Sequence, residues 1–89
     1  VPAWALGDES LVLVEVRFGR KNGAVRAARA LGTTVRAAPD VTRYRVRRRE
    51  SFLRWLLGLG GDAVPVSPPE MVRGYRELVE RTLAALEVE

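Results

Sequence analysis

Arg43, Arg45 and Arg47 alternate with Thr42, Tyr44 and Val46 in the stretch that runs from Val41 to Glu50. A period of two belongs to a β-strand, so these guanidinium groups project from one face. They stand about 7 Å apart. That repeat is comparable to the spacing of charge along a phosphate backbone and suits single-stranded nucleic acid. Arg17 is placed to join from a neighbouring strand. The plainer reading is a solvated basic face, partly paired with Glu15 or with acids of the last helix. Sheet-face RNA binders also need aromatic rings on which bases stack. Here Tyr44 and Phe18 fall on the opposite, core-facing side, which argues against an ordinary RNA-recognition sheet.

A second candidate is the loop Gly19-Arg20-Lys21-Asn22-Gly23, which precedes a helix. Free N–H groups at a helix start attract anions, so Arg20 and Lys21 could hold a terminal phosphate there. The loop faintly resembles the phosphate loop of acylphosphatases, but the fuller pattern is missing and no catalysis is carried over. A plain turn is the commoner meaning of such a loop. Cysteine and histidine are both absent. That excludes disulfides, thiolate chemistry and nucleophile–histidine dyads, and leaves no ordinary zinc-ligand set. Glu77 and Glu80 read as helix surface and Asp8 and Glu9 as linker, so no carboxylate pair is set up for acid–base work. No enzyme, cofactor or metal is expected.

These candidates must be positioned by elements that the pattern makes visible. Val1 to Gly7 has no period, and residues 1–9 read as a linker or arm. Trp4 there either covers an edge of the core or packs on a neighbour. Ser10 to Phe18 is expected as a strand with Val12, Val14, Val16 and Phe18 on its core face. A short helix is expected over 24–31, with Val25, Ala28 and Leu31 inward and Arg26 and Arg29 outward. Thr33 to Ala37 is a second strand, Ala38-Pro39-Asp40 a turn, and Val41 to Arg48 the basic strand. Ser51 is a good N-cap for a helix reaching Leu59. That helix carries Phe52, Leu56 and Leu59 on one stripe and Trp55 beside it. Leu53 and Leu57 lie off the stripe, so it is apolar nearly all round. Such a helix is buried either in the core or against a partner. Trp4, Leu53, Trp55 and Leu57 are therefore the candidate interface residues.

Asp62 to Val66 is a fourth strand. Ser67-Pro68-Pro69-Glu70 then has the capping-box form for a last helix. That helix runs to about Leu86, with Met71, Tyr75, Leu78, Val79 and Leu86 as its stripe. Gly74 weakens it unless a close approach is needed there. The order β-α-β-β-α-β plus a helix is the split βαβ pattern. It predicts an α+β, ferredoxin-like antiparallel sheet over residues 10–89, with helices on one face and an appended C-terminal helix.

The 89 residues suffice for one small domain. There is no apolar run long enough for a membrane span. There is also no basic-then-apolar leader pattern. Eleven of the fifteen basic residues lie between positions 17 and 49, with Asp40 as the lone acid. That gives a local charge of +10, against −6 for the rest. A basic middle with acidic ends fits an anionic partner, or two copies meeting basic to acidic.

The stretch FLRWLLGLGGDAVPVSPPEMVRGYRELVERTLAAL, from Phe52 to Leu86, carries a resemblance. It has Arg54-Trp55-Leu56-Leu57 in one helix, a glycine stop near Gly60, a short strand at Ala63 to Val66, and a helix started by Pro68 and Pro69. It is similar to the C-terminal extension (WCX) that follows the WYL domain in bacterial transcriptional regulators, and the likeness extends weakly back to Leu11. The resemblance implies a cytoplasmic regulatory and dimerisation domain, a homodimer, and a WYL domain in the same full-length chain. In that family the WYL domain senses a ligand, nucleic acid in several members. The winged helix and the WYL motif are not in these residues. Val1 in place of Met agrees with a segment of a longer regulator. On this reading Arg43, Arg45 and Arg47 meet a single-stranded nucleic acid, another anionic effector, or the partner subunit. The alternatives are a free-standing single-strand binder and an ACT-like small-ligand sensor. The first would show steep salt dependence, the second a pocket at a dimer interface.

Overall fold

The computed structural model describes residues 2–19 and 23–87. The elements in order are β1 (Val12–Phe18), α1 (Gly23–Ala30), β2 (Thr33–Val35), β3 (Ala38–Val46), α2 (Arg49–Gly58), β4 (Ala63–Ser67) and α3 (Pro69–Glu87). Short 3-10 turns at Ala3–Ala5 and Gly60–Asp62 flank them. The sheet is antiparallel, in the order β2-β3-β1-β4. The β1–α1–β2 crossover leaves a gap that β3 fills. This is the expected ferredoxin-like arrangement, with α3 appended.

One side of the sheet makes the core. Val14, Val16 and Phe18 of β1, Thr42, Tyr44 and Val46 of β3, and Ala63 of β4 are all buried. They meet Val25 and Ala28 of α1, Phe52, Leu53 and Leu56 of α2, and Met71 and Leu78 of α3. Strict alternation in β1 and β3 therefore sends every second residue to the opposite, open side.

The hairpin differs from the expected one. The turn lies at Arg36 and Ala37, and Ala38, Pro39 and Asp40 belong to β3. Pairing of β3 with β1 begins only at Val41. Pro39 thus sits where β3 has β2 as its one neighbour, and the missing N–H is tolerated there. Asp40 caps no turn; its carboxylate meets Arg17 at 3.3 Å.

The entry to α2 also differs. The carbonyl oxygen of Trp4 accepts from the amides of Arg47 and Arg48 at 2.8 and 2.9 Å. That bend ends the strand at Val46, and the carbonyl of Arg48 accepts the amide of Phe52 at 3.1 Å. The helix therefore starts at Arg49, and Ser51 lies inside it rather than capping it. Ser67 does not form a capping box either. Its hydroxyl donates to Glu15 at 3.3 Å. The carbonyl of Pro68 accepts the amides of Met71 and Val72 instead.

Arg29 is expected to point outward, yet it spans the layers. Its Nε donates to the fully buried Thr42 hydroxyl at 3.1 Å, Nη2 donates to the Pro39 carbonyl, and the guanidinium lies 5.9 Å from the Phe18 ring centre. Leu31, expected inside, is exposed because α1 has already ended.

Two glycines mark close approaches of different kinds. A Cβ on Gly32 would lie 2.6 Å from the Arg43 carbonyl oxygen, 2.7 Å from Thr42 and 2.8 Å from the Tyr44 ring. Two of these three are central-strand side chains packed in the core, and the third is backbone. A Cβ on Gly74 would meet only the Cδ1 of Leu53, at 3.0 Å. The close approach suggested by a glycine in mid-helix is therefore present. Gly32→Ala is predicted to destabilise the domain by about 1–3 kcal/mol through overpacking. Gly74→Ala should stay within about 1 kcal/mol of wild type, because the helix-propensity gain offsets a movable methyl contact. Urea denaturation of both variants checks the contrast.

Candidate nucleic-acid and partner interface

The open side of the sheet is built by the alternation that makes the core. Arg43 and Arg45 of β3 are exposed, and Leu13, Glu15 and Arg17 of β1 stand on the same side. The register sets Arg45 opposite Leu13 and Arg43 opposite Glu15. On the next strand Val64 lies opposite Arg17.

Glu15 is the centre of this face. One of its oxygens accepts from Arg43 Nη2 at 2.8 Å and Nε at 3.2 Å, and the other accepts from Ser67. The carboxylate is 29% exposed, so the pair is partly sheltered. Among the described residues Arg17 is paired with Asp40 alone, and both side chains are more than half exposed. Such a pair contributes little and exchanges readily. Among the described residues, Arg45 makes no ion pair or side-chain hydrogen bond. The three arginines thus differ: Arg43 is held, Arg17 is loosely held, and Arg45 is available. Val41 shares their side by register and is 4% exposed, yet it stands outside the main core cluster. Its neighbours on that side are Arg43 and Arg17, whose aliphatic stems can cover it.

Arg47 is not a rung of the ladder. It follows the end of β3, and its Nη1 donates to the Glu9 carbonyl oxygen at 3.0 Å. Together with the contact of Arg49 to Glu9 at 3.5 Å, it fastens the arm. Arg20 and Lys21 lie outside the described residues. The interface candidates are largely used within the chain. Trp4 is 5% exposed, with ring centres 4.9 Å from Phe52 and 5.5 Å from Tyr44 and Trp55. Leu53 is buried beside Gly74. Trp55 and Leu57 are half-buried against the core. The apolar circumference of α2 is therefore explained by enclosure between the arm, α3 and β4.

The apolar half of the open face is less visible in sequence. Leu13 is 49% exposed and Val64 46%, with Val66 beyond it on the same side. The mixed outward pattern of β1, with Leu11 and Leu13 at one end, is its one sequence signal. Between the β4 edge and α3, Val64, Pro65, Val72, Tyr75 and Val79 line a shallow groove of about 380 Å³. Among the described residues, no group of three acidic side chains could hold a metal ion, and no helix is long and apolar enough to cross a membrane.

Tyr44 is buried and Tyr75 partly so. The Tyr44 hydroxyl donates to the Ala28 carbonyl oxygen at 2.7 Å. Burial pushes its pKa well up, and the nearby Arg29 charge only partly opposes this. Burial also raises Tyr75.

The chain is a small α+β sheet domain, with helices on one side and a basic, partly apolar face on the other. The chain belongs to the WCX domain family, whose model matches residues 10–83. No curated protein and no solved structure matches it.

A phenol whose folded pKa is raised stabilises the fold fully below its ordinary pKa. That contribution fades as pH climbs from there toward the folded value, because the unfolded chain loses its proton first. Stability should therefore fall above about pH 10. The fall should be shallower in Tyr44→Phe, as denaturant midpoints across that range would show.

Proposed function

We propose that this chain is the regulatory and dimerisation domain of a WYL-type transcriptional regulator, without catalytic activity of its own. The proposal assigns it a WYL domain elsewhere in the same full-length protein and a cytoplasmic setting. Its open sheet face is the receiving surface for an anionic group, with single-stranded nucleic acid as the effector the spacing suits best. The observation that carries this reading is the uneven pairing of the face. Among the described residues, Arg43 is held by Glu15, whereas Arg45 makes no ion pair and Arg17 pairs with the exposed Asp40. Two guanidiniums are thus left to meet charge from outside.

Arg43 positions rather than receives. It orders the centre of the face, and Arg45 flanks it along β3 and Arg17 from β1. Without stacking rings, recognition of a strand would rest on its phosphates and be indifferent to base sequence. An effector bound there would act by favouring one arrangement of subunits over another.

The test is fluorescence anisotropy with a short 5′-phosphorylated single-stranded oligonucleotide. Binding should weaken about tenfold between low and physiological salt, as two or three neutralised phosphates require. It should be lost in Arg17→Gln/Arg45→Gln, whereas Arg47→Gln should retain it. Absence of binding at low salt would remove nucleic acid as the effector.

A further inference from the structure

The last helix is longer than the sheet that supports it. Its nineteen residues span about 28 Å, whereas the five residues of β4 span about 17 Å. Its last buried residue is Leu78. Beyond that point the chain continues as helix for nine residues, from Val79 to Glu87, over about 13 Å. These turns are not polar on all sides. At 100° per residue, Val79, Leu83 and Leu86 fall within one narrow stripe. Leu83 is 55% exposed and Leu86 72%. Glu80 and Glu87 run along one border of that stripe, about 10 Å apart.

The open face offers the complement. From Leu13 to Arg17 it extends about 13 Å along β1, the length of the overhanging helix. Its apolar row is Leu13, Val64 and Val66, and its border carries Arg45 beside Leu13 and Arg17 beside Val64. A helix with one apolar stripe and two acids on its border therefore matches a surface with one apolar row and two arginines, Arg45 available and Arg17 loosely held.

Edge pairing is a poor competitor. Pro65 interrupts the donors of β4, and β2 has only three residues. The helix cannot fold back onto its own sheet, because its first turns are fixed on the helix side through Met71 and Leu78. It does pass the β4 edge, where Val79 and Val64 line one groove. A two-fold axis near that edge would lay each overhang across the other copy's face and close the assembly at two chains.

We infer that the Val79–Glu87 end of α3 docks on the open sheet face of a second copy, with Leu83 and Leu86 along the apolar row between Leu13 and Val64, and Glu80 and Glu87 against Arg45 and Arg17. The inference rests on the reading of this face as an anion-receiving surface and names a protein source for the charge. An anionic effector then competes with the partner's two acids for the same arginines. Dimer geometry and effector occupancy are thereby linked.

The 89-residue chain has no cysteine, so introduced thiols report cleanly. Single variants Leu13→Cys and Leu83→Cys, mixed and oxidised, should cross-link to each other far more than either does to itself. Sedimentation should show Arg17→Glu/Arg45→Glu and Glu80→Arg/Glu87→Arg each weakening the dimer about tenfold or more. The chain carrying all four changes should recover it. A monomer at every concentration, Leu83→Cys pairing only with itself, or no recovery in the fourfold variant would overturn the inference. A monomer that still binds the oligonucleotide would overturn this inference alone. A cross-linked dimer indifferent to the oligonucleotide would overturn the effector reading alone.

Discussion

The packing of four rings at the junction of β3 and α2 is the constraint on which the rest depends. Trp4, Tyr44, Phe52 and Trp55 lie with every pair of ring centres between 4.9 and 5.5 Å. They come from the arm, the central strand and the helix, so one cluster closes three separate segments. Aromatic pairs of this kind add to the free energy of burial. The Tyr44 hydroxyl extends the cluster to α1 through the Ala28 carbonyl. With Tyr44 fixed inward, the register of β3 is set. A slip of one residue would bury Arg43 and Arg45 and expose Tyr44 and Val46. The candidate face is thus the necessary reverse of the core face.

This explains why the central features were legible from residues alone. The alternation of Val14, Val16 and Phe18 in β1 and of Thr42, Tyr44 and Val46 in β3 is a direct record of one buried side. Element order then leaves few topologies. What could not be read locally was decided by tertiary partners. Ser51 and Ser67 both have the chemistry of helix caps. One is pre-empted by the Trp4 carbonyl bending the chain earlier, the other by Glu15 drawing its hydroxyl away. Arg47 fits the strand period, but the arm pulls it out of the ladder. Arg29 has the spacing of a surface residue and is drawn inward by the buried Thr42 hydroxyl. Leu53 and Leu57 suggested a partner because a sequence does not reveal that α3 and the arm both pack on α2. The apolar row of the open face was half visible, through Leu13, because Val64 had no face assigned until the register of β4 was known.

The resulting domain separates two tasks by side. The helix side supplies stability, with its aromatic cluster and a bare Gly32 that lets the α1–β2 turn approach β3. The open side carries an ion pair at its centre, arginines on one flank and apolar residues on the other. Glu15 holds Arg43 and Ser67 together across three strands, so the centre is ordered while Arg45 and Arg17 remain responsive. A surface of that kind suits the partner and anion contacts that we propose.

The most direct test of this division is an ¹⁵N-resolved NMR titration of the chain with a 5′-phosphorylated single-stranded oligonucleotide. The account predicts shifts concentrated at Leu13, Glu15, Arg17, Arg43, Arg45 and Val64, with Val25, Ala28, Phe52 and Leu56 unmoved. Shifts centred on the helix side or confined to residues 20–23, with the open face silent, would contradict it.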